Sequence, residues 1–337
     1  MSSPFSRIRV DFRGIGPALS ELDDFVVFTV EPPWSSCKGL LARPPRETVM
    51  VGEVDLETLD AYTRSVPHAR HAVGLGGGRA IDAAKYFALK TGCKFISVPT
   101  ILAADAYLTP KAGVRIDGVV NYIGDKFPDV IVIDQSVIGA APKRLNRAAI
   151  GDIYSARISL MDWRRARDEV GEEYDEAVAK RTEAVLARLM SLAPEIKDVT
   201  ENAIRALVEM HMELNTLQFP YLQRGKFWPQ EGTEHLFFYT LEKLVGRPFV
   251  HGDVISTGAV VATYLHGEDP ERTKREIGSF GVDYTAGNIK ITHEEFEKTI
   301  TSMKRVGREA GANYLVVEKG NPSQSQIREM WELISSQ

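Results

Sequence analysis

The 337-residue chain carries 44% hydrophobic and 26% charged residues, enough for two domains with separate cores and unlike a disordered or fibrous composition. A net charge of −5 argues against nucleic acid as a partner, since that asks for a basic face. Two cysteines, Cys37 and Cys93, exclude a disulfide framework, and no apolar run reaches the roughly 20 residues that span a bilayer. With no basic-then-apolar leader at its start, the chain is expected in the cytoplasm, with no membrane insertion.

In chain order, Phe25 to Val30 form a buried strand closed by Glu31-Pro32-Pro33-Trp34, and Thr48 to Val51 form a second strand. Leu56 to Ser65 carry a helical pattern, and Ala72 to Leu75 form a third strand that runs into Gly76, Gly77 and Gly78. Glycines at this turn remove every Cβ, so backbone can adopt positive φ and approach a ligand closely. From Ala80 to about Lys90 the pattern is helical, with Asp82 in the first turn. A glycine turn between a strand and a helix N-terminus gathers unpaired N–H groups at a positive dipole end, which suits a pyrophosphate. Further strands follow at Lys94 to Val98, closed by Pro99-Thr100, and at Val130 to Asp134. Strands alternating with short helices predict a parallel α/β sheet.

After about Ile150 the strand signals stop. Residues 151–170, 174–193, 199–217, 232–245, 253–266, 294–310 and 324–335 carry helical periodicity, punctuated by prolines such as Pro194 and Pro270. The expected architecture is an α/β domain over residues 1–148, with a parallel sheet that binds a dinucleotide, followed by an all-α domain over 149–337. Three residues in the helical half stand near helix starts and supply oxygen and nitrogen donors: Asp152, His235 and His251. One carboxylate and two imidazoles suit Zn²⁺ with a position left open, although their sequence spacing is not diagnostic of a metal site. The other histidines (His68, His71, His211, His266 and His293) read as solvent, core or capping residues.

Several stretches taken in order resemble a known family. They are Gly-Leu-Gly-Gly-Gly-Arg-Ala-Ile-Asp-Ala-Ala-Lys at 74–85, Val-Pro-Thr-Ile-Leu-Ala-Ala-Asp-Ala-Tyr-Leu-Thr-Pro at 98–110, and Ala-Pro-Lys-Arg-Leu with a following Gly-Asp across 141–152. To these add Asp162-Trp163-Arg164, Pro229 to His235, and His251-Gly252. The whole resembles the sn-glycerol-1-phosphate dehydrogenases, within the superfamily of iron-containing alcohol dehydrogenases, glycerol dehydrogenase and 3-dehydroquinate synthase.

The resemblance implies a dehydroquinate synthase-like fold and a metal-dependent, NAD- or NADP-linked dehydrogenase acting on a small polyol phosphate. It implies that Gly76, Gly77, Gly78, Arg79 and Ala80, with Asp82, hold the dinucleotide. Thr100, Ile101, Leu102 and Ala103, with Thr109, would line the nicotinamide side, and Asp105 would contact substrate. Asp152, His235 and His251 would bind one divalent ion, Zn²⁺ being favoured, with Asp152 also near the substrate and a homo-oligomer expected. Beside these roles, Asp105 also reads as a turn cap, Asp162-Trp163-Arg164 as packing plus a surface charge, and Lys85 as a helix-end or ion-pair residue.

The chain departs from the family pattern at three places. Tyr239 stands one helical turn after His235 where the family has a substrate-facing His, Ala104 replaces a His, and Glu231 replaces a small Ser. Tyr239 shares a helix face with His235 and takes the catalytic place, but a phenol lacks the charge of an imidazolium. Lys111, Arg115, Arg224 and Lys226 are the cations that would compensate. Glu31, at a strand end, suits the adenosine ribose, which would favour NAD over NADP. Two other classes fit the same residues: a sugar-phosphate cyclase of the 3-dehydroquinate synthase type, and a nucleotide- or metal-binding protein without turnover.

Overall fold

The computed structural model describes residues 3–116 and 119–335, which divide into two compact units, Met1–Asn146 and Arg147–Gln337. The strands of the first unit are β1 (Arg9–Asp11), β2 (Phe25–Thr29), β3 (Glu47–Met50), β4 (His71–Gly76), β5 (Lys94–Pro99), β6 (Ala112–Ile116), β7 (Val119–Ile123) and β8 (Val130–Val132). Its helices are α1 (Ile15–Leu19), α2 (Pro33–Cys37), α3 (Leu56–Ser65), α4 (Gly78–Thr91), α5 (Gln135–Ala140) and α6 (Lys143–Arg147), the last reaching the boundary. Six strands form a parallel sheet in the order β1-β8-β5-β4-β2-β3, and β6 pairs with β7 as a separate antiparallel ribbon.

The central strands β2, β4 and β5 are buried almost throughout because both sheet faces are covered. Val73 of β4 sits opposite Val27 of β2 and Ile96 of β5. On one face Phe25, Val27, Val73, Leu75 and Val98 pack with Ile15 and Leu19 of α1. On the other, the Phe28 ring lies 5.1 Å from Phe87 of α4 and 6.0 Å from Tyr62 of α3. The edge strand β1 and the ribbon have weak sequence signals: β1 is three residues long, and the alternation in β6 is interrupted by Gly113. The strand expected to reach Asp134 stops at Val132, since Asp134 instead caps α5 through its side chain, which accepts from Val137 N–H.

The second unit contains, among the described residues, helices and no strands. They are α7 (Ile150–Val170), α8 (Glu176–Ser191), α9 (Ala193–Asp198), α10 (Glu201–Leu222), α11 (Thr233–Val245), α12 (His251–His266), α13 (Pro270–Ser279), α14 (Ala286–Ile289), α15 (His293–Ala310) and α16 (Gln324–Ser335). The span expected to run to residue 193 ends at Ser191, and α9 begins with Pro194 in its first turn. Helix α10 continues to Leu222, past Pro220, beyond the expected end at 217. Helix α13 escapes periodicity because only Thr273 and Ile277 of its ten residues are buried. No helix among the described residues is long and apolar enough to cross a membrane.

One contact fixes how this bundle closes. Helices α7 and α12 meet at Gly151 and Gly252, backbone against backbone. A Cβ on Gly252 would lie 1.8 Å from the carbonyl oxygen of Ala148, and one on Gly151 would lie 2.5 Å from that of Gly252. Neither clash falls on a flexible side-chain tip, so relief requires the helices to part. Gly252→Ala is therefore expected to destabilise the protein by roughly 1–3 kcal/mol or more. Gly139→Ala, in α5, is expected to be neutral or stabilising by up to about 1 kcal/mol, because a Cβ there would meet nothing within 4 Å. Denaturant unfolding of both variants checks this, and equal stabilities would dismiss the crossing as the constraint.

Candidate functional site

In the first unit, β4 ends at Gly76, whose φ of +149° lies in the region glycine favours, and α4 starts at Gly78. Gly74 lets strand and helix touch: a Cβ there would lie 2.8 Å from the Cα of Ile81. No side chain caps the first turn of α4, whose N-cap is Gly77 in extended backbone. Its leading N–H groups therefore suit an anion. Beside this turn lies a cavity of about 740 Å³, lined among others by Glu31, Gly77, Gly78, Arg79, Thr100 and Ile101. Its walls follow the carboxyl ends of β2, β4, β5 and β8, the crevice where open parallel sheets bind ligands.

Of the residues expected at the cofactor, Glu31, Gly77, Gly78, Arg79, Thr100 and Ile101 line this cavity; Gly76, Ala80, Asp82, Leu102, Ala103 and Thr109 lie outside its lining. Ala80 and Leu102 have fully buried side chains, and the Leu102 N–H donates to Asn146 Oδ1 at 3.0 Å. Ala103, Thr109 and Asp105 belong to the segment after β5, with Asp105 opening a short 3-10 turn that ends at Tyr107. Asp82 turns toward Lys85 Nζ, 3.3 Å away, and takes a hydrogen bond from the Gly113 backbone. Buried Lys85 also donates to the carbonyls of Ala106 (2.8 Å) and Lys111 (2.7 Å), tying that segment to α4. Sequence reasoning missed the lining from α2 and α5, including Pro33, Cys37, Val137 and Ala140, because helices of five or six residues carry too little periodicity to read. Glu31 lines the cavity, and its Oε2 accepts from Ser35 N–H at 3.2 Å.

In the second unit the Gly151–Gly252 crossing sets the residues next to each glycine side by side. His251 Nε2 lies 2.9 Å from Asp152 Oδ1, and His235 Nε2 lies 3.9 Å from the same oxygen. One donor atom from each of the three falls within 4.8 Å of the others. A largely buried set of one carboxylate and two imidazoles fits a divalent ion of the zinc or iron kind. Burial opposes the charge on Asp152, but the neighbouring His251, His235 and His211 outweigh it and hold the carboxyl down at about 2.

The His235 ring is oriented from behind. Its Nδ1 lies 2.7 Å from Glu234 Oε1, which also accepts from Gly232 N–H at 2.9 Å. In the neutral ring this arrangement favours the proton on Nδ1, and Nε2 faces Asp152 and His251. Burial works against the imidazolium, but the Glu234 hydrogen bond with the charges of Glu231, Glu234 and Asp152 raises the ring to about 9. Asp162, read from sequence as packing, proves to be a buried hub. It accepts from Thr233 N–H (2.8 Å), Thr233 Oγ1 (3.1 Å) and Val316 N–H (2.8 Å), and pairs with His266 Nε2 at 3.0 Å. It thereby fixes the start of α11, the helix that carries His235. The cations Arg224, Lys226 and Lys111 are paired with Glu173 (3.0 Å), Glu172 (2.7 Å) and Asp125 (3.1 Å) respectively. Tyr239 lies with its ring 6.1 Å from that of His235.

Residues 41–142 match the family described as iron-containing alcohol dehydrogenase. The glycerol-1-phosphate dehydrogenase [NAD(P)+] of Hyperthermus butylicus is 31% identical over 259 residues, 77% of this chain and 72% of that protein. This chain belongs to the glycerol-1-phosphate dehydrogenase family. A second member, from Methanothermobacter thermautotrophicus, is 29% identical over 81% of this chain and 83% of its own length. Among solved structures, a probable glycerol dehydrogenase from Sinorhizobium meliloti shares the fold, with TM-score 0.71 and 19% identity over 97% of this chain and 96% of the other. That shared fold spans both the parallel-sheet unit and the helical unit described above.

His251→Ala leaves two donors and should empty the ion by elemental analysis of purified protein; full occupancy would refute the ligand set. Since ion binding displaces the proton that a raised His235 keeps below about pH 9, apparent affinity should fall by up to about tenfold per pH unit below that value. In the metal-free protein the same raised ring stabilises the fold fully below its ordinary titration range and loses that contribution as pH rises through about 9. At the turn, a Cβ on Gly77 already lies 3.2 Å from Ile101 Cδ1, so the larger Gly77→Val side chain must occupy the cavity. NADH affinity by fluorescence titration should weaken at least about tenfold, the equivalent of one lost hydrogen bond. Unchanged affinity would remove this turn as the phosphate cradle.

Proposed function

We propose that the protein is a metal-dependent, NAD(P)-linked dehydrogenase that interconverts dihydroxyacetone phosphate and sn-glycerol 1-phosphate. The observation that carries this reading is the convergence of Asp152, His235 and His251 within 4.8 Å in a member of this family. These three residues would hold the ion, for which Zn²⁺ is our choice, and an ion there supplies Lewis acidity to a substrate oxygen. The nicotinamide cofactor carries the hydride, and the protein sets its orientation.

The remaining roles belong to the chain itself. Gly77, Gly78 and Arg79 would seat the pyrophosphate at the start of α4, with Thr100 and Ile101 on the nicotinamide side. Glu31 on the cavity wall would accept from the adenosine ribose and repel a 2′-phosphate, favouring NAD. Asp105 would contact the substrate from a segment that Lys85 holds in place. Glu234 keeps the His235 tautomer, and Asp162 keeps the helix start that presents it. We assign the protein to the cytoplasm as a homo-oligomer.

The test is an assay of zinc-loaded protein with dihydroxyacetone phosphate and NADH or NADPH, followed by loss of nicotinamide absorbance. Net NADH oxidation with sn-glycerol 1-phosphate as product is expected. A cyclase would return its cofactor unchanged, and turnover of a sugar phosphate without net NADH loss would replace this reading. Absence of net oxidation with any small ketone phosphate would overturn it.

A further inference from the structure

A second cavity, of about 360 Å³, opens within the helical unit. Its walls come from α7, α8, the end of α12 and α13, with Tyr154, Arg157, Arg164, Glu183, Arg272 and Glu276 among the lining. Asp152, His235 and His251 are not part of that lining. Tyr154 and Met161, which are, stand two and nine residues after Asp152. At about 3.6 residues per turn they occupy the opposite face of α7. The cavity therefore lies across that helix from the carboxylate proposed to hold the ion.

Glu276 anchors the polar part of the lining. It accepts from the Tyr154 hydroxyl at 2.6 Å, from Arg157 Nη1 at 2.7 Å and from Arg272 Nε at 2.8 Å. Burial opposes its charge, but the Tyr154 and Arg272 bonds and the charges of Arg157 and Arg272 hold its carboxyl below the usual range. Each of these two guanidiniums spends one nitrogen on Glu276, and the other nitrogens have no partner among the described residues. The neighbouring acceptors are already in use. Glu183 takes Arg164, while Asp269 accepts from the Arg272 backbone N–H at 3.1 Å and faces Arg275 at 3.6 Å. Glu268, the remaining carboxylate of the lining, is exposed, where water weakens its field. Spare guanidinium donors beside occupied acceptors suit an anion. Four carboxylates in the lining disfavour a dianion, so a single charge fits better. Leu160, Met161, Leu186 and Met190 supply aliphatic surface from α7 and α8.

We propose that this cavity is a binding site, separate from the metal site, for a small aliphatic carboxylate. Arg157 and Arg272 meet its charge, and Leu160, Met161, Leu186 and Met190 take its chain. The volume is at the lower end of the roughly 300–1,000 Å³ of small-molecule pockets, which suits a chain of about six carbons. The site lies within one unit and stands whether or not the dehydrogenase reading holds.

The experiment is a ligand-observed NMR titration of zinc-loaded, full-length protein with hexanoate. Saturable one-site binding with Kd on the order of 1 mM is expected. Acetate, which lacks the chain, and hexanol, which lacks the charge, should each bind at least about tenfold more weakly. Arg157→Gln and Arg272→Gln each remove a guanidinium and leave the metal donors in place. Each should weaken hexanoate by about tenfold, the size of one lost charge-assisted bond. Arg272 is exposed, so its variant keeps the test decisive if Arg157→Gln does not fold. Hexanoate should bind His251→Ala, the variant expected to lose its ion, as tightly as wild type. Absence of saturation in wild type, or undiminished binding in Arg272→Gln, overturns the proposal. Loss of binding in His251→Ala does so too, because it would place the carboxylate on the ion. None of these results bears on NADH oxidation with dihydroxyacetone phosphate, which tests the dehydrogenase reading separately.

Discussion

The crossing of α7 and α12 at Gly151 and Gly252 is the contact on which the helical unit depends. Two helices normally stand about 8–10 Å apart, held off by their side chains. Here the absence of both side chains brings backbone to backbone, so a Cβ on Gly252 would fall 1.8 Å from the Ala148 carbonyl oxygen. Asp152 follows one glycine and His251 precedes the other, so the same close approach leaves their side chains 2.9 Å apart. A site assembled in this way inherits the rigidity of two long helices. Asp152 and His251 are set by main-chain packing and need no loop to place them.

Around that crossing the second unit invests buried carboxylates in orientation. Glu234 fixes the His235 ring from behind, and burial pushes its own carboxyl upward. Asp162 holds the first residue of α11, a histidine from the end of α12 and the backbone of Val316 at once. Each is a group whose burial would be costly unless every acceptor were used. Asp162 meets that condition with several donors. The cluster is thus polar but ordered, and it surrounds the set of donors suited to an ion.

The first unit solves a different problem by a different route. Its cavity follows the carboxyl ends of parallel strands, where β2 and β4 are neighbours although the chain passes through β3 between them. Such a reversal in strand order opens a crevice that no helix crosses. Gly76 and Gly77 then leave the start of α4 bare, so main-chain donors rather than side chains present themselves to an anion. Lys85, buried beneath, links α4 to the segment that carries Asp105.

The sequence by itself determined the class of each unit and several of its elements. Apolar runs at Phe25 to Val30, Ala72 to Leu75 and Lys94 to Val98 announced the buried parallel strands β2, β4 and β5 because both faces of that sheet are covered, and the glycine turn announced the start of α4. Helical patterning likewise located α7, α11, α12 and α15 to within a few residues, α15 by a buried stripe and α12 by a run that is apolar almost all round. Periodicity reports whether a side chain is buried and says nothing of what it meets. Only the tertiary structure decided that Glu231 meets Tyr239, that Glu234 meets His235, and that Asp162, which reads as packing, gathers four polar partners. It also decided that short α2 and α5 line the cavity and that Arg224 and Lys226 are engaged by glutamates. Those partners are far apart in the chain or lie on elements too short to show a period, and their meeting depends on where whole helices pack.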